Sequence, residues 1–220
     1  MMVLGLFLSA LCAYLMGSIN SAIIVSRIYA KEDIRTHGSG NAGMTNILRT
    51  YGKLPAAWTA VGDFAKGALA VLLGRLFFYI LGVDAGFDVG FVAGFFALLG
   101  HLFPIYFGFR GGKGVLTSAG VIFVIHPLIF LLLAVIIIPI MFLTRIVSLG
   151  SVLGAVLFPV LTFFFCGRTW SVDLLFALLM GAVVLFMHRA NIKRLLNGTE
   201  NRFPKKSKKN SAPARSKKRR

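Results

Sequence analysis

The chain has 220 residues, 57% of them hydrophobic and only 14% charged, with a mean hydropathy of +0.83. That balance excludes a water-soluble globular domain and places most of the chain in lipid. The net charge of +17 suggests nucleic acid only until it is located: ten of the 24 Lys and Arg lie between Arg202 and Arg220 with no acid among them, so no specific nucleic-acid partner is expected.

Seven apolar segments are predicted, at roughly 3–28, 54–82, 89–106, 114–125, 127–144, 147–166 and 171–190. The first lacks the basic start of a secretory signal and stays apolar past Gly17 to Ile28, so it reads as one retained spanning helix. The fourth is short. Crossing about 30 Å of hydrocarbon takes about 20 helical residues, so 114–125 is either a thin crossing or half of a re-entrant hairpin turning at His126-Pro127. The fold class is therefore an all-α integral membrane protein with about seven transmembrane helices, or five plus a re-entrant hairpin. Cys12 and Cys166, far apart in apolar segments, read as inert thiols rather than a disulfide.

Basic connections stay in the cytoplasm. Arg27, Lys31, Arg35, Arg49 and Lys53 mark the first connection as inside, Val83 to Asp88 carries two acids and no base, and Arg110 and Lys113 mark the next as inside. Breaking the chain at Pro127 then keeps Arg145 and the basic tail inside, with the N-terminus outside; only Arg168 dissents. The expected organisation is one polytopic catalytic domain over 1–200 and a disordered polybasic tail over 201–220, lying against anionic lipid. Four polar segments (31–53, 108–117, 145–151 and 188–200) then share one membrane face and can build one site.

The first carries Ser39, Gly40, Asn41, Gly43, Thr45, Asn46 and Arg49. Glycines let backbone N–H groups converge on an anion, hydroxyls and amides add neutral donors, and Arg offers a two-pronged cation for phosphate. A solvated linker explains the glycines and serine but not the arginine. In the second, Arg110 and Lys113 flank Gly111 and Gly112, and Gly114 and Thr117 open an apolar helix whose free N–H groups favour negative charge. This is not a Walker loop, because Phe107 stands where its first glycine belongs and Gly114 where Ser or Thr should hold magnesium. His101, near the inner end of the third segment, is a packing or a chemical residue.

His188, Asn191 and Arg194 are spaced to share one helix side, as are Arg145, Ser148 and Ser151. Asp63 and Lys66, one turn apart in the second segment, are expected to pair, either to offset burial or to aim Lys66 at an anionic substrate. The seven acids are scattered and His37 has no carboxylate or cysteine at ligand spacing, so no metal site and no cofactor are expected. The H-x4-D pair of common glycerolipid acyltransferases is absent, since Ala42, Tyr106, Leu131 and Lys193 follow the four histidines at that spacing. Ser39 lacks a placed base, which disfavours it as a nucleophile.

Together SGNAGMTNILR (39–49), GHLFPIYFGFRGGKGVLT (100–117) and HRANIKRLLNGTE (188–200) resemble the three signatures of the bacterial acyl-phosphate:glycerol-3-phosphate acyltransferases, the PlsY family, over roughly residues 5 to 200. Ala42, Met44 and Asn20 depart from the family pattern without removing a charged or donor group. The resemblance implies acyl transfer from acyl phosphate to the 1-hydroxyl of glycerol 3-phosphate in the bacterial cytoplasmic membrane, metal-free, without an acyl-enzyme and with no obligate protein partner. On that reading Lys113, Arg49 and the glycine-rich backbones neutralise phosphate, and His188 and Asn191 orient glycerol 3-phosphate. The proton goes to His188 or to a substrate phosphate oxygen. The alternative is a binding protein or transporter for organic phosphates.

Overall fold

The computed structural model describes residues 1–167 and 169–202; the expectations for Arg168 and for the tail from 203 onward fall outside the described residues. Among the described residues there are helices and turns but no strand. In chain order the helices are α1 (Met2–Gly17), α2 (Ser21–Ala30), α3 (Met44–Tyr51), α4 (Lys53–Ile80), α5 (Val89–Leu102), α6 (Val115–Ile125), α7 (Pro127–Thr144), α8 (Val147–Phe165), α9 (Val172–Met187) and α10 (Arg189–Leu196), with 3-10 turns at Ile34–Thr36 and Ile105–Phe107. Cys12 and Cys166 are free thiols.

The predicted first helix is broken. Asn20 leaves the helical region at φ −88°, ψ 105°, and its Oδ1 accepts the Ile23 N–H at 3.1 Å, so it ends one helix and caps the next. The segment predicted over 89–106 stops at Leu102, because Pro104 lacks an N–H and drives Phe103 out of the helical region. The last segment bends by 64° at His188, between α9 and α10. Four stretches are long and apolar enough to cross a membrane (Met2–Ala30, Val89–Phe107, Pro127–Thr144 and Val147–Phe165), and the bent α9–α10 pair makes a fifth.

Side-chain contacts sort the helix ends into two groups. At one end of the bundle Gly5 of α1 lies against Phe78 and Leu81, the His126 ring meets Phe165 at 5.7 Å, and Asp173 accepts the Asp88 N–H at 3.2 Å. Arg75 of α4 belongs to this end too: it pairs with Asp88 and donates to the Val124 carbonyl in the last turn of α6 at 3.3 Å. The other end gathers the C-termini of α1, α5, α7 and α9 and the N-termini of α4, α6 and α8. α6, 11 residues long, starts at this second end, and its last turn reaches Arg75 at the first.

The helices approach closely where glycine removes the Cβ. A Cβ on Gly17 would strike the Ala97 carbonyl and one on Gly100 the Tyr14 carbonyl, so α1 and α5 meet backbone to backbone. Gly67 against Thr117 and Gly120 against Phe64 do the same for α4 and α6. In lipid, where no hydrophobic force separates helix from solvent, such van der Waals closeness is a principal source of association. Phe91, Leu98, Ile129, Phe158 and Met180 form the buried centre.

Candidate functional site

The connection 31–43 is folded by side chains, not by regular structure. Asn46, only 1% exposed, accepts the Ser39 N–H at 3.0 Å through Oδ1, while its Nδ2 faces the carbonyls of Ile34, His37 and Asn41 at 3.0–3.2 Å. Its amide is fully used, so Asn46 shapes the loop. Arg35 grips both oxygens of Asp33 and extends Nη1 to the carbonyls of Phe107 and Arg110 at 2.6 and 3.0 Å. One guanidinium thus clamps the first polar connection to the second. The Arg35 fork, outweighing partial burial, lowers the Asp33 carboxyl to about 2, so the clamp stays charged at any ordinary pH.

Within the second connection, Gly111 donates its N–H to the Leu102 carbonyl at 3.0 Å and Gly112 donates to the His101 carbonyl at 3.2 Å, closing the end of α5. A Cβ on Gly111 would strike the His101 carbonyl, and one on Gly112 would strike the His101 ring and the Ala42 carbonyl. These glycines are required for close packing. In the first loop the N–H groups of Ser39, Gly40 and Gly43 are likewise bonded internally, to Asn46, His37 and Asn41. In sequence these amides look free for an anion; in the structure they are spent on the loops themselves. Two helix starts without a side-chain cap border the cavity: that of α3, where Gly43, Met44 and Thr45 line it, and that of α6, where Gly114 adopts φ +79° and Val115 and Leu116 line it.

Lys113 donates to Asn191 Oδ1, Asn191 Nδ2 donates to Glu200 Oε1 at 2.7 Å, and Arg194 Nε donates to Glu200 Oε2 at 2.7 Å. An ammonium on one side and a carboxylate on the other fix the orientation of the Asn191 amide. Burial lowers the Lys113 pKa, the Arg194 and Arg49 charges push the same way, and Glu200 opposes them. Burial raises the Glu200 pKa, but hydrogen bonds from Arg194 and Asn191 outweigh it and leave the carboxyl below its ordinary value. His188 and Asn191 share the cavity across the bend at His188, not along one straight helix as their spacing predicted. His188 Nδ1 lies 2.8 Å from the Val184 carbonyl, which can only accept, so the neutral ring carries its proton there and offers a lone pair at Nε2.

Asp63 and Lys66 do pair, at 2.8 Å, but Lys66 is not in the cavity wall. Its ammonium meets three acceptors at 2.8 Å each: Asp63 Oδ1, the Ile19 carbonyl and His101 Nδ1. All three N–H bonds are spent within the wall, which Asp63 and His101 line and Lys66 does not. Thr117 also falls outside the cavity, fully buried beside Gly67 of α4, as do Gly40, Gly111 and Gly112.

The other predicted residues come together. Ser39, Asn41, Gly43, Thr45, Asn46, Arg49, His101, Lys113, Gly114, Ser148, Ser151, His188, Asn191 and Arg194 line one cavity of about 270 Å³. Glu200 lines it too and was missed as a site residue: it follows α10, where helical periodicity no longer applies, and only its place six residues after Arg194 signalled it. A second cavity, of about 310 Å³, is lined almost wholly by apolar residues of α4, α6, α7, α8 and α9. The two share Val115, Leu116, Met141 and Ser151, so a cationic chamber adjoins an apolar groove. Among the described residues no three His, Cys, Asp or Glu gather as metal ligands.

The family model described as "Glycerol-3-phosphate acyltransferase" matches residues 7–198. A protein of that name from Clostridioides difficile is 43% identical over 197 residues, covering 90% of this chain and 95% of its own. One from Thermoanaerobacter pseudethanolicus is 42% identical over 200 residues, covering 91% and 96%. The crystal structure of PlsY (YgiH), an integral membrane glycerol 3-phosphate acyltransferase, in its glycerol 3-phosphate form matches with a TM-score of 0.80 at 34% identity, over 90% of this chain and 96% of that one. Its lysophosphatidic acid form matches at 0.77.

Proposed function

Because the chain belongs to the glycerol-3-phosphate acyltransferase family, we propose that it transfers a fatty acyl group from acyl phosphate to the 1-hydroxyl of glycerol 3-phosphate, releasing lysophosphatidic acid and phosphate. The observation that carries this reading is the junction of the two cavities: Arg49, Lys113 and Arg194 wall the polar chamber, and an apolar groove adjoins it beside Ser151. Two phosphates and one hydrocarbon chain need this combination. An organic-phosphate carrier has no use for the groove.

The hydroxyl oxygen attacks the acyl carbon, the new C–O bond forms, and the bond from that carbon to the phosphate oxygen breaks. Phosphate is already a good leaving group in a mixed anhydride, so neither an acyl-enzyme nor a metal is needed. Lys113, Arg49 and the N–H groups at the start of α6 stabilise the negative charge that grows on the departing phosphate. His188, with its Nε2 lone pair, and Asn191 orient glycerol 3-phosphate, and the hydroxyl proton passes to His188 Nε2 or to a phosphate oxygen. Ser39, Asn41, Thr45, Ser148 and Ser151 supply neutral donors, and Arg194 adds charge that Glu200 tempers.

The same reading puts the chamber at the cytoplasmic face of the bacterial inner membrane. The helix-end contacts support seven crossings: α1–α2, α4, α5, α6, α7, α8 and α9, with Met1 opposite the chamber. Residues 1–200 then form the catalytic unit, and 201–220 a basic tail for anionic lipid. The test is phosphate release by purified protein given acyl phosphate and glycerol 3-phosphate, set against uptake of labelled glycerol 3-phosphate into vesicles. Release that requires both substrates and is lost in Lys113→Ala supports the enzyme; uptake without release overturns it.

A further inference from the structure

We propose that Phe158 is the floor of the acyl groove and sets the chain length the enzyme turns over most efficiently; this rests on the donor reading above. The lining residues order themselves along the helices. Met141 of α7 and Ser151 of α8 stand at the mouth shared with the polar chamber, and Leu133 and Phe158 lie two turns deeper on the same two helices. Ile122, Leu133, Phe158 and Met180, further in, belong to the buried core cluster together with Phe91 and Ile129, which do not line the groove. On the α8 side the groove therefore ends on packed protein. Phe158 is held from behind by Phe91, stacked at 6.4 Å and 16°, so the floor cannot swing aside as an isolated ring would.

A length follows. From Ser151 to Phe158 is about 10 Å along α8, and from Met141 to Phe130, the deepest lining residue of α7, about 16 Å along α7. A fully extended chain advances about 1.2 Å per bond, so about eight carbon–carbon bonds fit above Phe158 and about 13 along the α7 side. Side escape is restricted at the wall where Phe64 and Phe130, both lining residues, meet edge to face at 6.1 Å and each packs on Phe123. Longer chains must fold back or leave between α6 and α7, where Val115 and Ile138 are exposed, and lose part of their buried surface.

Two substitutions move the floor in opposite directions. Phe158→Ala lowers it by about 4 Å, room for about three more bonds. Gly154→Val raises a step one turn below Ser151; its Cβ would meet only Ile137 Cδ1, at 2.8 Å, the mobile tip of a side chain, so the helix tolerates it. The experiment measures kcat/KM for saturated acyl phosphates of graded length at saturating glycerol 3-phosphate, using the full chain. Phe158→Ala shifts the optimum to longer chains, and each added methylene that the deepened floor buries raises kcat/KM about fourfold over wild type. Gly154→Val shifts it to shorter chains, with KM for glycerol 3-phosphate unchanged in both. If Phe158→Ala fails to fold, Gly154→Val alone decides. A length profile that stays put in the folded variants, or that falls equally at all lengths, overturns the proposal. Wild-type protein that turns over no acyl phosphate of any length instead overturns the donor reading beneath it.

Discussion

Arg35 touches no part of the cavity, yet Arg35→Ala is predicted to cripple the enzyme. The guanidinium supplies two bonds between the polar connections, to the carbonyls of Phe107 and Arg110, and two more that hold it rigid against Asp33. A hydrogen bond from a charged donor contributes about 1.5–3 kcal/mol, and the Arg110 bond, being exposed, belongs at or below the low end. Losing the inter-loop pair therefore removes about 2–3 kcal/mol of coupling, which is about 30- to 150-fold if the arrangement of Ser39 and Arg49 opposite Lys113 depends on it. The expected loss lies in kcat/KM for glycerol 3-phosphate. Lys at 35 cannot form the fork and should recover little. Because the folded Asp33 pKa is depressed to about 2 from 3.8, the clamp is fully formed above the ordinary value and is lost only as pH falls toward the depressed one. The defect should thus be constant across the pH range of the assay. Arg35→Ala with kcat/KM within twofold of wild type, or a defect that varies with pH through neutrality, would refute the clamp.

Lys113 should lose its proton below the ordinary 10.5, so kcat/KM for glycerol 3-phosphate falls on the alkaline side before a free lysine would titrate. Glu200→Gln, by deleting the one charge that raises the Lys113 pKa, moves that limb lower still, and pH profiles of both proteins check it. Gly111→Ala, driven against the His101 carbonyl, should cost about 100-fold in activity, while Gly108→Ala, at φ +68° but with open space around it, should cost at most about 1–2 kcal/mol of stability and little activity; kinetics beside thermal unfolding separates them. Gly120→Leu, against the Phe64 backbone, should destabilise the detergent-solubilised protein by about 1–3 kcal/mol or more, read as a lowered midpoint of unfolding.

Hydropathy made the apolar segments legible because each is a nearly unbroken run, and the charge of the connections brought the polar motifs to one end. Breaks were less legible. Ser18-Ile19-Asn20 is no more polar than many stretches of a spanning helix, and what holds the break beside the Asn20 cap is a distant partner, Lys66 of α4 on the Ile19 carbonyl. The glycines of 111–112 were legible as special positions but not as to purpose: a glycine that frees an amide for an anion and one that lets a loop close on a helix end look alike in sequence. Glu200 shows the same limit, because its partners Asn191 and Arg194 are on α10 and it is not.

The buried pair Asp63 and Lys66 accounts for how a broken helix and a charged chamber coexist in lipid. Breaking α1 from α2 leaves the Ile19 carbonyl without a helical partner, at several kcal/mol in hydrocarbon if nothing replaces it. Lys66 supplies the replacement, and Asp63 neutralises the lysine while also accepting the Ser21 N–H at 3.4 Å at the start of α2. The third lysine proton goes to His101 Nδ1, which forces the ring's own hydrogen onto Nε2, on the side of Gly112 and the Ala42 carbonyl. One ion pair thus satisfies the break, sets the tautomer of a cavity histidine and seats the glycine loop that precedes Lys113. Lys66→Met would keep most of the volume but leave both the Asp63 charge and the Ile19 carbonyl unmet, so its loss should be larger than that of the double change Asp63→Leu, Lys66→Met, which leaves no charge behind. Thermal unfolding of the two variants decides it: equal losses would mean that the pair is a passenger of the fold and not the strut that holds its break.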